Sequence, residues 1–171
     1  LVGSEMCIRD QIYDIPGRSV IGMTDETMAK LAQHDLVVGV KDATADLGRP
    51  TRLLNVINDK FIQLSGEDGT ALPYLAAGGH GCISVTANIA PKLLSRMHNA
   101  WQQGDIQTAQ DINQKLMPLH DALFCETSPG PLKYAASILN ICESDTRLPI
   151  VEIASESKKR VEEGLKFAEL M

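Results

Sequence analysis

Three short apolar runs, starting at Val37, Phe61 and Cys82, stand 24 and 21 residues apart, with helical patterns between them. Parallel strands need a crossover of about a dozen residues or more, usually a helix. This alternation therefore predicts a parallel sheet with helices outside it. A fourth run, Gln11-Ile12-Tyr13-Asp14-Ile15, stops at Pro16-Gly17 and supplies a strand in front of the other three. The other strands are read at Leu36–Lys41, Phe61–Ser65 and Cys82–Val85. Val37 to Val40 and Cys82 to Val85 are almost continuously apolar, as strands covered on both faces are.

The gaps carry helix signals. Thr24 is an N-cap, with Asp25 and Glu26 suited to the positive helix start and Met28, Leu31 and Ala32 forming an apolar stripe. Pro50 fits the first turn of a second helix, with Leu53, Leu54 and Ile57 inward. Asp68 to Ala77 is a poorer helix that contains Pro73, and Pro91 opens one carrying Leu93, Leu94, Met97 and Trp101. After Gly104 the strands stop. Asp105 caps a long helix with Ile106, Ala109, Ile112, Leu116, Leu119 and Leu123 on one side, and with a kink expected at Pro118. Pro131 begins another helix. The tail from Ser157 is amphipathic through Val161, Leu165 and Ala168, with Glu162 and Lys166 spaced as an i,i+4 pair. The chain thus divides into residues 11–103, α/β, and residues 104–171, all helical. Residues 1–10 (LVGSEMCIRD) have no helical or strand period and are read as an unmatched leader of unassigned origin.

Composition narrows the function classes. Sixteen Lys and Arg against 22 Asp and Glu give a net charge of −6, the wrong sign for a chain whose main partner is nucleic acid. No apolar run approaches the ~20 residues of a membrane span. Cys7, Cys82, Cys125 and Cys142 have no CxxC spacing, and the four His show no HxH or HExxH pattern, so neither a disulfide framework nor a metal site is indicated. A reduced, cytoplasmic compartment follows. Gly78-Gly79-His80-Gly81 precedes a strand instead of leading into a helix, so it reads as a tight turn and not as a phosphate cradle.

In parallel α/β folds the reactive groups collect where strands end. Here those positions hold Tyr13, Lys41, Ser65-Gly66-Glu67-Asp68 and Ile83-Ser84. Lys41 follows a run of apolar residues. Desolvation disfavours an ammonium, and a neutral amine is what a Schiff-base nucleophile must be. The alternative is an ordinary strand-end lysine whose stem packs while its charge stays wet. Tyr13 is either a proton relay or a packed ring with a wet hydroxyl. Arg18 is either a carboxylate grip or a solvated loop charge.

Taken together, Tyr13-Asp14-Ile15-Pro16-Gly17-Arg18-Ser19 and Val38-Gly39-Val40-Lys41-Asp42-Ala43-Thr44 resemble the dihydrodipicolinate synthase / N-acetylneuraminate lyase family. The resemblance continues through Leu64-Ser65-Gly66-Glu67-Asp68, Gly79 to Asn88, Leu116-Met117-Pro118-Leu119, Pro129 to Lys133 and Arg147-Leu148-Pro149. It implies the last four strands of a (β/α)8 TIM barrel followed by a C-terminal helical region. It implies a class I enzyme in which Lys41 forms a Schiff base with pyruvate and Tyr13 relays protons. Arg18 then holds the carboxylate of aspartate semialdehyde, the main-chain carbonyl of Ile83 faces pyruvate, and Gly66 and Glu67 line the same mouth. Arg18 favours the synthase branch, in lysine and diaminopimelate biosynthesis, over a pyruvate-dependent sugar-acid aldolase or a non-catalytic fragment. No cofactor is implied, and the intact protein is expected to be a dimer of dimers. Glu67 stands where many relatives have Asp, and Thr127-Ser128-Pro129-Gly130-Pro131 replaces a more usual Asn-Pro-Ile-Pro. The first half of such a barrel, with its carboxylate-binding loop and a second tyrosine, is not in these 171 residues, so the chain as given is expected to be an inactive fragment with two open sheet edges.

Overall fold

The computed structural model describes residues 9–57 and 60–171, so residues 1–8 of the 1–10 leader lie outside that description. The chain packs as two compact units, Leu1–Ile83 and Ser84–Met171.

The first unit contains the whole sheet. Its strands are β1 (Asp10–Asp14), β2 (Val37–Asp42), β3 (Ile62–Ser65) and β4 (Gly81–Cys82), parallel and ordered as in the chain. Among the described residues β1 and β4 are its edges. β4 is shorter than the Cys82–Val85 reading because the chain turns after Ile83 into a 3-10 turn at Thr86–Asn88. The helices of this unit are α1 (Pro16–Ser19), α2 (Asp25–Leu31), α3 (Arg49–Leu54) and α4 (Ala71–Ala76). The Thr24 side chain accepts a hydrogen bond from the Thr27 backbone N–H, so the N-cap forms as its residue type dictates. Met28, Val40, Leu53 and Phe61 make the core between α2, α3 and the sheet, joined by Ile12, Ala32, Val37 and Ile57. Leu31 and Leu54, read as inward from helical spacing, are 37% and 45% exposed. α2 and α3 are short, so Met28 and Leu53 fill the core, while the Leu54 side chain lies against Gly78 in the turn before β4.

Gly39 is fixed by packing. A Cβ there would stand 2.3 Å from the backbone oxygen of Ile62, so only glycine lets β2 and β3 approach this closely.

The second unit is helical: α5 (Pro91–Gln102), α6 (Ile106–Leu123), α7 (Gly130–Ile138) and α8 (Ser155–Phe167). Ala109, Leu116, Leu119 and Leu123 of α6 and Val161 and Leu165 of α8 are fully buried. α6 carries Pro118 within its length, and the Asp105 side chain accepts from the Thr108 backbone N–H at its start. Glu162 accepts a hydrogen bond from the Tyr134 hydroxyl at 2.7 Å. Among the described residues, no helix is long and apolar enough to cross a membrane.

Candidate active site

Successive strand residues point to opposite faces of a sheet. Ile12 and Val40 belong to the helix-side core, so Tyr13 and Lys41 point away from it. They are paired in register, and Lys41 Nζ lies 4.0 Å from the centroid of the Tyr13 ring. Tyr13 is 49% exposed and Lys41 is half-buried. Leu64 follows on the same face, in register with Lys41, and Ile83 ends the row, 40% exposed.

The strands are parallel, so all their C-terminal ends share one edge. Gly66 and Glu67 follow β3 there. The Gly66 N–H donates to the Asp42 carbonyl at 2.6 Å, and a Cβ on Gly66 would meet the Ala43 Cβ at 2.8 Å. The segment after β3 is thus held against the residues that follow Lys41. Glu67 is held above the ordinary carboxylate range, first by burial and then by Asp68, with Lys41 acting in the opposite sense. The Ile83 N–H donates to the Ser65 carbonyl, which extends the β4 ladder by one residue. Arg18 lies on α1, the exposed turn directly after β1. Tyr13 and Lys41 are brought into contact, Gly66, Glu67 and Ile83 to the same edge, and Arg18 to its rim.

Beneath this edge, on the helix side, lies a cluster that strand-end reasoning passes over. Asp14 and Asp42 are in register and both 3% exposed. Arg49, also 3% exposed, donates from Nη1 to Asp14 at 2.6 Å and lies 3.9 Å from Asp42. Its Nη2 donates to the Met23 carbonyl at 2.8 Å, and its Nε stands 3.2 Å from Asp25. Asp42 also accepts from the Thr44 N–H and hydroxyl. The Tyr74 phenol is pushed up by burial, with Asp42 adding to the effect. The available signal was an acid directly after each strand-end candidate, Tyr13-Asp14 and Lys41-Asp42, one step out of phase with the exposed face.

Cys82 is half-buried at the end of β4, and burial pushes its thiol up to about 12. In the Gly78–Gly81 turn, the Gln63 N–H donates to His80 Nδ1 at 3.1 Å and Gly78 has φ +100. That is a helix-to-strand turn.

Residues 8–168 match the model of the dihydrodipicolinate synthetase family. The chain belongs to that family. Its relatives include the 4-hydroxy-tetrahydrodipicolinate synthases of Gluconacetobacter diazotrophicus, 55% identical over 161 residues, and of Rhodospirillum centenum, 59% identical over 140 residues. These alignments cover 94% and 82% of this chain but 54% and 48% of the relatives, so the chain spans about half the length of the family members it matches. The crystal structure of dihydrodipicolinate synthase from Aquifex aeolicus superposes with a TM-score of 0.92 at 34% identity, over 96% of this chain and 57% of that one. The Acinetobacter baumannii dihydrodipicolinate synthase, chloride-inhibited and complexed with pyruvate, gives 0.92 at 35% identity, over 97% and 57%. The four parallel strands and their helices fit the C-terminal half of the (β/α)8 barrel of these family members.

Proposed function

We propose that these residues carry the Schiff-base half of a 4-hydroxy-tetrahydrodipicolinate synthase, which condenses pyruvate with aspartate semialdehyde in lysine and diaminopimelate biosynthesis. The observation that carries this reading is Lys41 Nζ against the Tyr13 ring, 4.0 Å from its centroid, at the C-terminal edge of a parallel sheet. The family membership and the synthase relatives support it.

The Lys41 amine adds to the pyruvate ketone, and loss of water leaves an imine. Removal of a methyl proton gives the enamine, whose carbon attacks the aldehyde of aspartate semialdehyde. Cyclisation then releases the product and frees the lysine. Tyr13 relays the protons of these steps. Arg18 grips the semialdehyde carboxylate, a bidentate task for a guanidinium on an exposed rim. The Ile83 main-chain carbonyl faces pyruvate, and Gly66 and Glu67 line the mouth. The lysine supplies the electron sink, so the chemistry calls for no metal or organic cofactor. Residues 11–103 provide the barrel half, and residues 104–171 act as a helical region. The family resemblance supports a cytoplasmic enzyme assembled as a dimer of dimers.

The test is a chimera in which this chain replaces the matching 161 residues of the Gluconacetobacter diazotrophicus synthase. Pyruvate and borohydride should add one reduced pyruvyl group to Lys41, and the unreduced protein should consume aspartate semialdehyde. Labelling elsewhere, or none, refutes the reading.

A further inference from the structure

Asp14 and Asp42 oppose each other on adjacent strands, one residue beyond the Tyr13–Lys41 pair and on the other face. Parallel strands run about 4.8 Å apart. Two buried carboxylates that close repel strongly unless a cation lies between them. Arg49 is that cation, 2.6 Å from Asp14 and 3.9 Å from Asp42. It opens α3, and it also binds the Met23 carbonyl before α2 and pairs with Asp25 at the start of α2. One guanidinium therefore ties together the ends of β1 and β2 and the starts of two helices.

The consequence on the opposite face is geometric. Tyr13 and Asp14 are neighbours on one strand, and so are Lys41 and Asp42 on the next. Whatever sets the spacing and stagger of the two acids sets those of the phenol and the amine. We propose that Arg49 is a positioning residue for the Schiff-base chemistry: by bridging Asp14 and Asp42 it fixes the relative heights of β1 and β2, and so holds Lys41 Nζ against Tyr13. This rests on the synthase reading above. Asp42 is further fixed by the two hydrogen bonds it accepts from Thr44, so the bridge is anchored on the β2 side independently of Arg49.

A guanidinium reaches two carboxylates and a carbonyl at once, whereas an ammonium is a single point charge. Arg49→Lys keeps the charge and loses the bridge. Asp14→Asn keeps the shape and removes one anchor.

Both are made in the chimera, beside Val161→Ala, which thins the core of the helical unit and touches none of these residues. Below the melting temperature of every variant, kcat should fall about 10- to 100-fold in Arg49→Lys and Asp14→Asn, the scale of an ångström-sized misplacement. The KM for aspartate semialdehyde should stay within about threefold, because Arg18, proposed to grip its carboxylate, is unchanged. Asp42→Glu should recover most of the rate lost in Asp42→Asn. Val161→Ala should lower the melting temperature and leave kcat unchanged. If Arg49→Lys and Asp14→Asn only lower the melting temperature, as Val161→Ala does, with kcat at the parental value, Arg49 is structural and the proposal is overturned. An unsubstituted chimera that forms no imine at Lys41 overturns the synthase reading itself, so the two failures are distinct.

Discussion

Lys41 and Tyr13 occupy the same rung of two parallel strands, with the lysine nitrogen over the phenol ring at 4.0 Å. The contact follows from local rules. β1 and β2 pair without a break from Gln11 to Asp14, so side chains two residues apart on each strand stay on one face. In the proposed chemistry this contact keeps the phenol beside the adduct whose protons it would carry.

Tyr13→Phe separates the ring from the hydroxyl. The ring contact with Lys41 survives, so borohydride should still trap pyruvate on Lys41 in the chimera. Turnover should fall by roughly 10²–10⁴-fold, the usual worth of a positioned proton relay. Steady-state rates and peptide mass mapping on the same preparation read both effects.

Gly39→Ala tests the close approach of β2 and β3. The new Cβ meets a backbone oxygen, which cannot rotate away as a side chain end could. The strands must separate, and a loss of about 1–3 kcal/mol or more is expected by urea unfolding. Leu165→Ala in α8 gives the matching figure for the helical unit. The side chain is fully buried, so truncation should cost about 2–5 kcal/mol.

The sheet was legible because its signal is local. Strand runs between turn residues placed β1, β2 and β3 within one residue at each end, and Thr24 announced α2 by its hydroxyl. The Tyr13–Lys41 edge was legible for the same reason, since both residues end strand runs. Arg49 was not. It is separated from Asp14 by 35 residues, and nothing in its neighbourhood marks it as buried. Next to Pro50 it looks like a loop charge, and its burial depends on two strands being side by side. Leu31 and Leu54 failed in the opposite direction. Periodicity gives a direction around a helix axis, but not how completely the neighbours of a short helix cover that side, and Leu54, against the Gly78 turn, is covered only in part.

Glu67 gives a pH prediction. Its carboxyl is raised above the ordinary value of 4.5 mainly by burial. The folded state therefore favours the protonated form. The stability this contributes is full below pH 4.5 and is lost as pH rises through the raised value. Glu67→Gln removes the titration, so the variant should lose less stability than the parent as pH rises over that interval. Urea midpoints at several pH values check the sign, and a steeper loss in Glu67→Gln than in the parent contradicts it.

Reductive trapping asks whether Lys41 is the nucleophile. The chimera is incubated with pyruvate and borohydride, digested, and mapped by mass. One reduced pyruvyl group is expected on the peptide containing Lys41, and none in Lys41→Arg, whose guanidinium stays protonated and cannot attack. For the isolated 171-residue chain, whose Tyr13 is 49% exposed on a strand that is an edge of the sheet among the described residues, poor labelling is expected, because so open a strand end orients the pyruvate ketone less tightly than a closed barrel does. Undiminished labelling of Lys41→Arg, or a label on any other lysine of the parent, would show that Lys41 is not the nucleophile.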